Sequence, residues 1–192
     1  DFPAWRVARA ATIAELRGML PIAALQFEHS LVERTAEAEL VTAGNALGLG
    51  LAAWSPLGGG MLTGKYRTGV RGRAEGFGGR VFQAENSAQR TAVLDEVIAV
   101  AEEVGAAPGE VAIAWVAAHG VFPIIGPRTV EQLRSNLSAL DVSLSPAHLA
   151  RLDAVSAPPP TFPHTVLDNP DNLARITGGK FADFDGPSTP VA

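Results

Sequence analysis

Two stretches of this sequence combine small residues, a cation and a preceding apolar run, the ingredients of a phosphate site. The first is Trp54-Ser55-Pro56-Leu57-Gly58-Gly59-Gly60-Met61-Leu62-Thr63-Gly64-Lys65-Tyr66. Glycines let backbone amides approach a phosphate closely, Lys65 supplies positive charge, and an aromatic such as Trp54 can stack on a planar ring. The alternative is a flexible glycine loop beside a core tryptophan. Gly59 through Lys65 also matches G-x-x-x-x-G-K. Tyr66, however, stands where a magnesium-holding Ser or Thr is required, and no apolar helix follows, so a P-loop is rejected.

The second stretch runs Ile124-Ile125-Gly126-Pro127-Arg128-Thr129-Val130-Glu131-Gln132-Leu133-Arg134-Ser135-Asn136-Leu137. An apolar run enters a tight turn and then a helix start, where free amides and the positive dipole end favour an anion. Arg128 adds a fork of donors suited to phosphate. Thr129-x-x-Gln132 is equally a capping box that closes the helix, and the two readings stand level. Asn136 lies one turn beyond Gln132 on the same helix face.

The elements that position these stretches alternate between strand and helix. Asp1 and Pro3 read as an N-cap and first turn, leading a helix to Arg17 that Gly18 stops. Ile22–Leu25, ending at Gln26, and Leu49–Trp54 lack alternation, as expected of strands buried on both faces. A helix over Thr35–Leu47 joins them. The segment Ser55–Gly79 has no period, and loops of that length are usually functional or mobile. Leu94, Val97, Ile98, Ala101 and Val104 line one helical face that ends at Gly105. Pro108 opens another helix, up to Gly120. Val121–Ile125 is a third strand, whose Pro123 argues for an edge or a strand start. Helices over Thr129–Leu140 and from Ser145-Pro146 onward follow. From Ala157 the chain reads as an irregular tail. Three strands, each followed by a helix, make a parallel α/β pattern, whereas a closed barrel needs eight strands and ~250 residues. Such a sheet leaves apolar edges unpaired, which implies a missing part.

Composition bounds the chemistry. With 192 residues, 47% hydrophobic and 18% charged, the chain can bury a core. A formal net charge of −5 without any basic run argues against nucleic acid or an anionic membrane as partner. The absence of cysteine removes disulfides, thiolate metal sites and cysteine nucleophiles, and is compatible with the cytoplasm. No stretch approaches the ~20 apolar residues of a membrane span.

Leu25 through Arg34, Trp54 through Leu57, Gly64-Lys65-Tyr66 and Gly126 through Asn136 together resemble the aldo-keto reductase superfamily in order and spacing. Val111–Val116 matches that family's helix before the last strand, and Ser145–Asp153 resembles its closing helix. The resemblance implies the C-terminal portion of a (β/α)8 TIM barrel, about strands six to eight with their helices, over residues 1–156, with 157–192 as tail. It implies NADP as cofactor: Gln26 by the nicotinamide carboxamide and Trp54, where tyrosine is commoner, stacked on the ring. Ser55, Leu57, Gly60 and Lys65 would line the pyrophosphate. Gly126, Arg128, Gln132 and Asn136 would hold the adenosine end, with Arg128 on the 2′-phosphate. His29 replaces the family's usual tyrosine and reads as a change tolerated near the rim. The implied reaction is hydride transfer to the carbonyl of an aldehyde or ketone. Its catalytic tyrosine, lysine, aspartate and histidine belong to the first half of the barrel, so no catalytic residue is assigned here. Asp1 resembles the second residue of a Ser-Asn or Ser-Asp pair after the fifth strand, so strands one to five are expected to be missing. The alternative is a non-catalytic half-barrel, a nucleotide-binding or interaction module that associates through its exposed edges.

Overall fold

The computed structural model describes residues 1–69, 83–167 and 169–183. Three strands, β1 (Ala24–Glu28), β2 (Gly50–Trp54) and β3 (Phe122–Pro123), form one parallel sheet in the order β1-β2-β3. Ala24 pairs with Gly50 and Glu28 with Trp54, so the ends of the first two strands are level. Parallel neighbours need crossover connections: α2 (Leu40–Ala46) lies between β1 and β2, and α3 (Ala88–Val104) and α4 (Pro108–Ala118) between β2 and β3. A helix α1 (Ala4–Leu16) precedes the sheet, and α5 (Val130–Ser138) and α6 (Pro146–Ser156) follow it.

The helices cover one face of the sheet. The periodic face expected of α3 is buried at Leu94, Val97 and Ala101, and Ile98 and Val104 pack against the same core. Every residue from Val111 to Val116 in α4 is buried, Trp115 fully so. On the sheet, Phe27, Leu51 and Ala53 join that core. Gln26 on the other face is exposed, as is Phe122, 71% accessible. The expectation of strands buried on both faces is therefore corrected. Among the described residues all the helical cover lies on one side, and alternate side chains point away from it.

Several local expectations shift for visible reasons. The N-cap position of α1 is Pro3 without a side-chain cap, and the Asp1 carboxylate instead accepts from Trp54 Nε1 at 3.1 Å. The span Thr35–Leu47 divides into a 3-10 turn (Thr35–Ala38) and α2. The third strand shrinks to two ladder residues at the sheet edge, as Pro123 foreshadows, although the Ile124 amide still donates to Ala53 O at 2.7 Å. Within the stretch read as irregular tail, α7 (His164–Leu167) and α8 (Pro170–Ile176) form, the latter because the Asn169 side chain caps the amides of Asp171 and Asn172. The part of the Ser55–Gly79 loop beyond Gly69, and the tail beyond Asp183, lie outside the described residues.

A polar knot ties the end of β1 to α4 and α6. Arg34 donates Nε and Nη2 to the two Glu37 oxygens at 2.7 and 2.8 Å, and Nη1 to Asp153 O and Ser156 Oγ at 3.0 and 2.7 Å. Its guanidinium lies over the Trp115 ring, 5.2 Å from the centroid. His29 is 1% exposed, so the expectation that it sits near a rim is also corrected. Its ring stacks on Trp115 at 5.2 Å, and Nε2 donates to Glu37 Oε1 at 2.8 Å. Burial pushes the Glu37 carboxyl up, but hydrogen bonds and charge from His29 and Arg34 outweigh it and hold it down at about 2. His119 caps the end of α4, with Nδ1 on Trp115 O at 2.9 Å and Nε2 3.2 Å from Asp153.

Candidate dinucleotide-binding groove

The loop leaving β2 is shaped by backbone conformation before any side chain acts. Ser55 has φ 55, and Gly58, Gly59 and Gly60 follow with φ 54, 65 and 93. A non-glycine residue in the left-handed region stores about 1–3 kcal/mol of strain and persists only where its surroundings over-determine it. Those surroundings are present here. Met61 and Leu62 are anchored in the core, and the amides of Gly58, Gly60 and Leu62 donate back to Ser55 O and Leu57 O. The Tyr66 hydroxyl donates to Gly59 O at 2.9 Å, and Thr63 Oγ1 to Gly60 O at 2.7 Å. Lys65 Nζ lies 5.2 Å from the Tyr66 ring centroid. A Cβ on Gly60 would stand 2.6 Å from Lys65 Nζ, so the absence of a side chain there makes room for the cation. Lys65 leads into a turn through Gly69, pinned by Arg67 to Glu85 and Asp95 at 2.6 Å each.

The loop leaving β3 is built differently. Thr129 Oγ1 accepts from the Gln132 amide at 3.2 Å, and Gln132 Oε1 accepts from the Arg128 amide at 2.8 Å. The expected capping box is therefore realised only in its threonine half, because Gln132 closes on the amide before the N-cap rather than on that of Thr129. The cap does not compete with an anion site, since only part of the helix start is used. No residue of α5 is buried, and Arg128 is exposed. The Ser135 hydroxyl tethers α5 to the first turn of α4 by donating to Glu110 Oε1 at 3.0 Å.

The two loops face each other across one groove of about 620 Å³, within the ~300–1,000 Å³ of small-molecule clefts. Trp54, Ser55, Leu57, Gly60 and Lys65 line it from one side, and Gly126, Arg128, Gln132 and Asn136 from the other. Gln26 is the one expected residue outside it. It sits exposed on the open face of β1, in register with Ala52 and two residues short of the strand end. Thr63, Glu131 and Ser135 also line the groove and were not expected. Glu131 lies on the first turn of α5, where its own amide and the Thr129 hydroxyl hold its carboxyl below the usual range. Helical spacing from Gln132 could have shown Ser135; nothing local marks Thr63.

Among the described residues no group of three or more His, Asp and Glu side chains could hold a metal ion, and no helix is long and apolar enough to cross a membrane. The arrangement offers an aromatic face, left-handed backbone amides with a lysine, and a helix start with an arginine, in that order along one groove.

Comparison with known proteins places the chain in a family. The Aldo/keto reductase family model matches residues 1–157. Uncharacterized oxidoreductase YrpG of Bacillus subtilis is 38% identical over 157 residues, which cover 81% of this chain and 47% of that protein. Two Saccharomyces cerevisiae proteins carry the names Putative aryl-alcohol dehydrogenase AAD10 and AAD14. They are 31% and 30% identical over 160 and 183 residues, covering 81% and 92% of this chain and 55% and 48% of their own. The chain thus spans about half the length of the curated relatives it matches. A glycine-braced loop after one parallel strand, an arginine-bearing helix start after the next, and a family match over four-fifths of the sequence converge: the chain belongs to the aldo/keto reductase family.

Proposed function

We propose that this chain is the cofactor-binding part of an NADP(H)-dependent oxidoreductase that reduces an aldehyde or ketone to an alcohol. On this reading β1, β2 and β3 are strands six to eight of a (β/α)8 barrel. Residues 1–156 form the partial barrel, and 157–192 a C-terminal tail. One observation carries the reading: nine of the ten residues expected at a dinucleotide site, from two loops about seventy positions apart, line a single groove.

The residues present fit the group. Trp54 would stack on the nicotinamide ring, with Gln26 at its carboxamide. Lys65 and the amides around Gly60 would hold the pyrophosphate, since the space a Cβ would fill is occupied by the lysine ammonium. Arg128 would pair with the 2′-phosphate beside the dipole end of α5, and Gln132 and Asn136 would hold the adenosine. When bound, the nicotinamide supplies the hydride. This chain's own residues bind and orient; they do not move the proton. Its single tyrosine, Tyr66, already donates its hydroxyl to Gly59 O on the phosphate side. On the family resemblance the proton donor and its tuning residues belong to the first half of the barrel, outside these 192 residues. The yeast relatives' names make an aromatic aldehyde the first carbonyl to test, and a cytoplasmic location fits the cysteine-free composition.

A second reading is favoured by the sheet itself. β1 and β3 are edges, and the open face exposes Phe122 and Ile124. A half-barrel that binds nucleotide and associates through those edges would present this surface. Calorimetric titration of the purified chain tests the main reading. NADPH is expected to bind at least about tenfold more tightly than NADH, the difference of one charge-assisted phosphate contact. Failure of both to bind overturns the reading.

A further inference from the structure

Gln83 is a buried polar side chain, 6% exposed, outside the dinucleotide groove. Its Nε2 donates to Glu28 Oε1 at 2.9 Å, and its Oε1 accepts from Arg90 Nη2. A carboxylate accepts and a guanidinium donates, so the amide has one orientation. No charged residue could serve both neighbours at once. Arg90 is itself fixed on the first turn of α3, where Nη1 donates to Ala84 O at 2.8 Å and to Asn86 Oδ1 at 3.4 Å.

Gln83 also lies beside the glycine loop. A Cβ on Gly58 would meet Val32 Cγ2 at 2.6 Å and Gln83 Cβ at 3.7 Å, so Gln83 backs the first left-handed glycine after Trp54. One side chain therefore bonds the end of β1 to the start of α3 and lies beside the start of the glycine loop. Glu28, its acceptor, is the register partner of Trp54, and both border a neighbouring groove with Asp1. Burial pushes the Glu28 carboxyl up, against the Gln83 hydrogen bond; Glu33 pushes it further up, and Arg90 pulls it down.

We infer that Gln83 is a positioning residue for the ring-stacking end of the cofactor site, bridging Glu28 and Arg90 behind the glycine loop so that Trp54 and the loop are held in place before the ligand arrives. The inference rests on the reading of the groove as a dinucleotide site. It assigns a division of labour: the nicotinamide half depends on Gln83, while the adenosine half, held from the β3 loop, does not.

The test is titration of the purified chain with NADPH and, separately, with 2′,5′-ADP, which carries the adenosine end alone. Gln83→Leu is expected to lower NADPH affinity about tenfold, the worth of one or two lost buried hydrogen bonds, and to leave 2′,5′-ADP binding unchanged. Gln83→Glu keeps the Arg90 bond but sets a second carboxylate against Glu28. Its NADPH affinity should fall near pH 8 and recover, relative to the unsubstituted chain at the same pH, near pH 5. Unchanged NADPH binding by Gln83→Leu overturns the inference alone. So does parallel loss of both ligands, or a Gln83→Glu deficit independent of pH. Absence of either ligand from the unsubstituted chain overturns the groove reading and this inference with it.

Discussion

The two loops that face each other across the groove solve one problem by opposite means. The loop after β2 is braced: a strained Ser55, three left-handed glycines, two core anchors and Tyr66 bonded back to the loop. The loop after β3 is merely started, by a threonine cap and a glutamine that closes it, with its arginine in solvent. The first has geometry that a single added atom would break. The second has chemistry that a single lost charge would remove. Rigidity is placed where backbone must approach a ligand, and exposure where a charge can act without burial.

That contrast can be broken most directly at Gly60. Gly60→Ala sets a Cβ at φ 93 and 2.6 Å from Lys65 Nζ. NADPH affinity should fall about 100-fold and the melting temperature should drop, with about 1–3 kcal/mol of backbone strain added. A variant that melts and binds unchanged would show that the loop is not braced.

Acid probes the knot beneath the braced side. Glu37 titrates at about 2 in the folded chain against 4.5 ordinarily, a lowered carboxylate. Its stabilisation, on the order of 2–3 kcal/mol, is complete above the ordinary value and lost as pH falls from about 4.5 toward 2. Denaturant unfolding followed across that range should show the loss in the native chain and little of it in Glu37→Gln.

Arg128→Ala sharpens the comparison from the other side. NADPH affinity should weaken about tenfold with NADH unchanged, and the melting temperature should hold, because an exposed arginine contributes little to stability. Equal loss for both nucleotides would remove the 2′-phosphate assignment. The smallest effect is expected of Thr129→Ala, which removes the α5 cap at a cost of ~1 kcal/mol. It should lower the melting point slightly and affect NADH and NADPH alike.

Both loops are legible in the sequence because their information is local. Glycine runs, Thr129-x-x-Gln132 and a cation in each stretch all fall within about a dozen residues. The helical faces are legible for the same reason, since Leu94, Val97 and Ala101 repeat at helical spacing. What escapes is set by contacts between distant segments. Gln83 and Glu28 lie 55 positions apart and neither belongs to a periodic pattern. His29 reads as peripheral because the Trp115 that stacks on it, and the Arg34–Glu37 pair beside it, become its surroundings only when α4 packs. The open sheet face is misread as buried because an apolar run states a preference for cover, not whether cover is present.

The buried imidazole of His29 has a consequence of its own. Nε2 is committed to Glu37, which can only accept while ionised, and Nδ1 has no hydrogen-bond partner among the described residues. The ring's two nitrogens are thus held in unlike electronic environments by the fold. Labelled with nitrogen-15, His29 becomes a resident gauge, its ring resonances shifting when the end of β1 comes loose from Glu37 and Trp115.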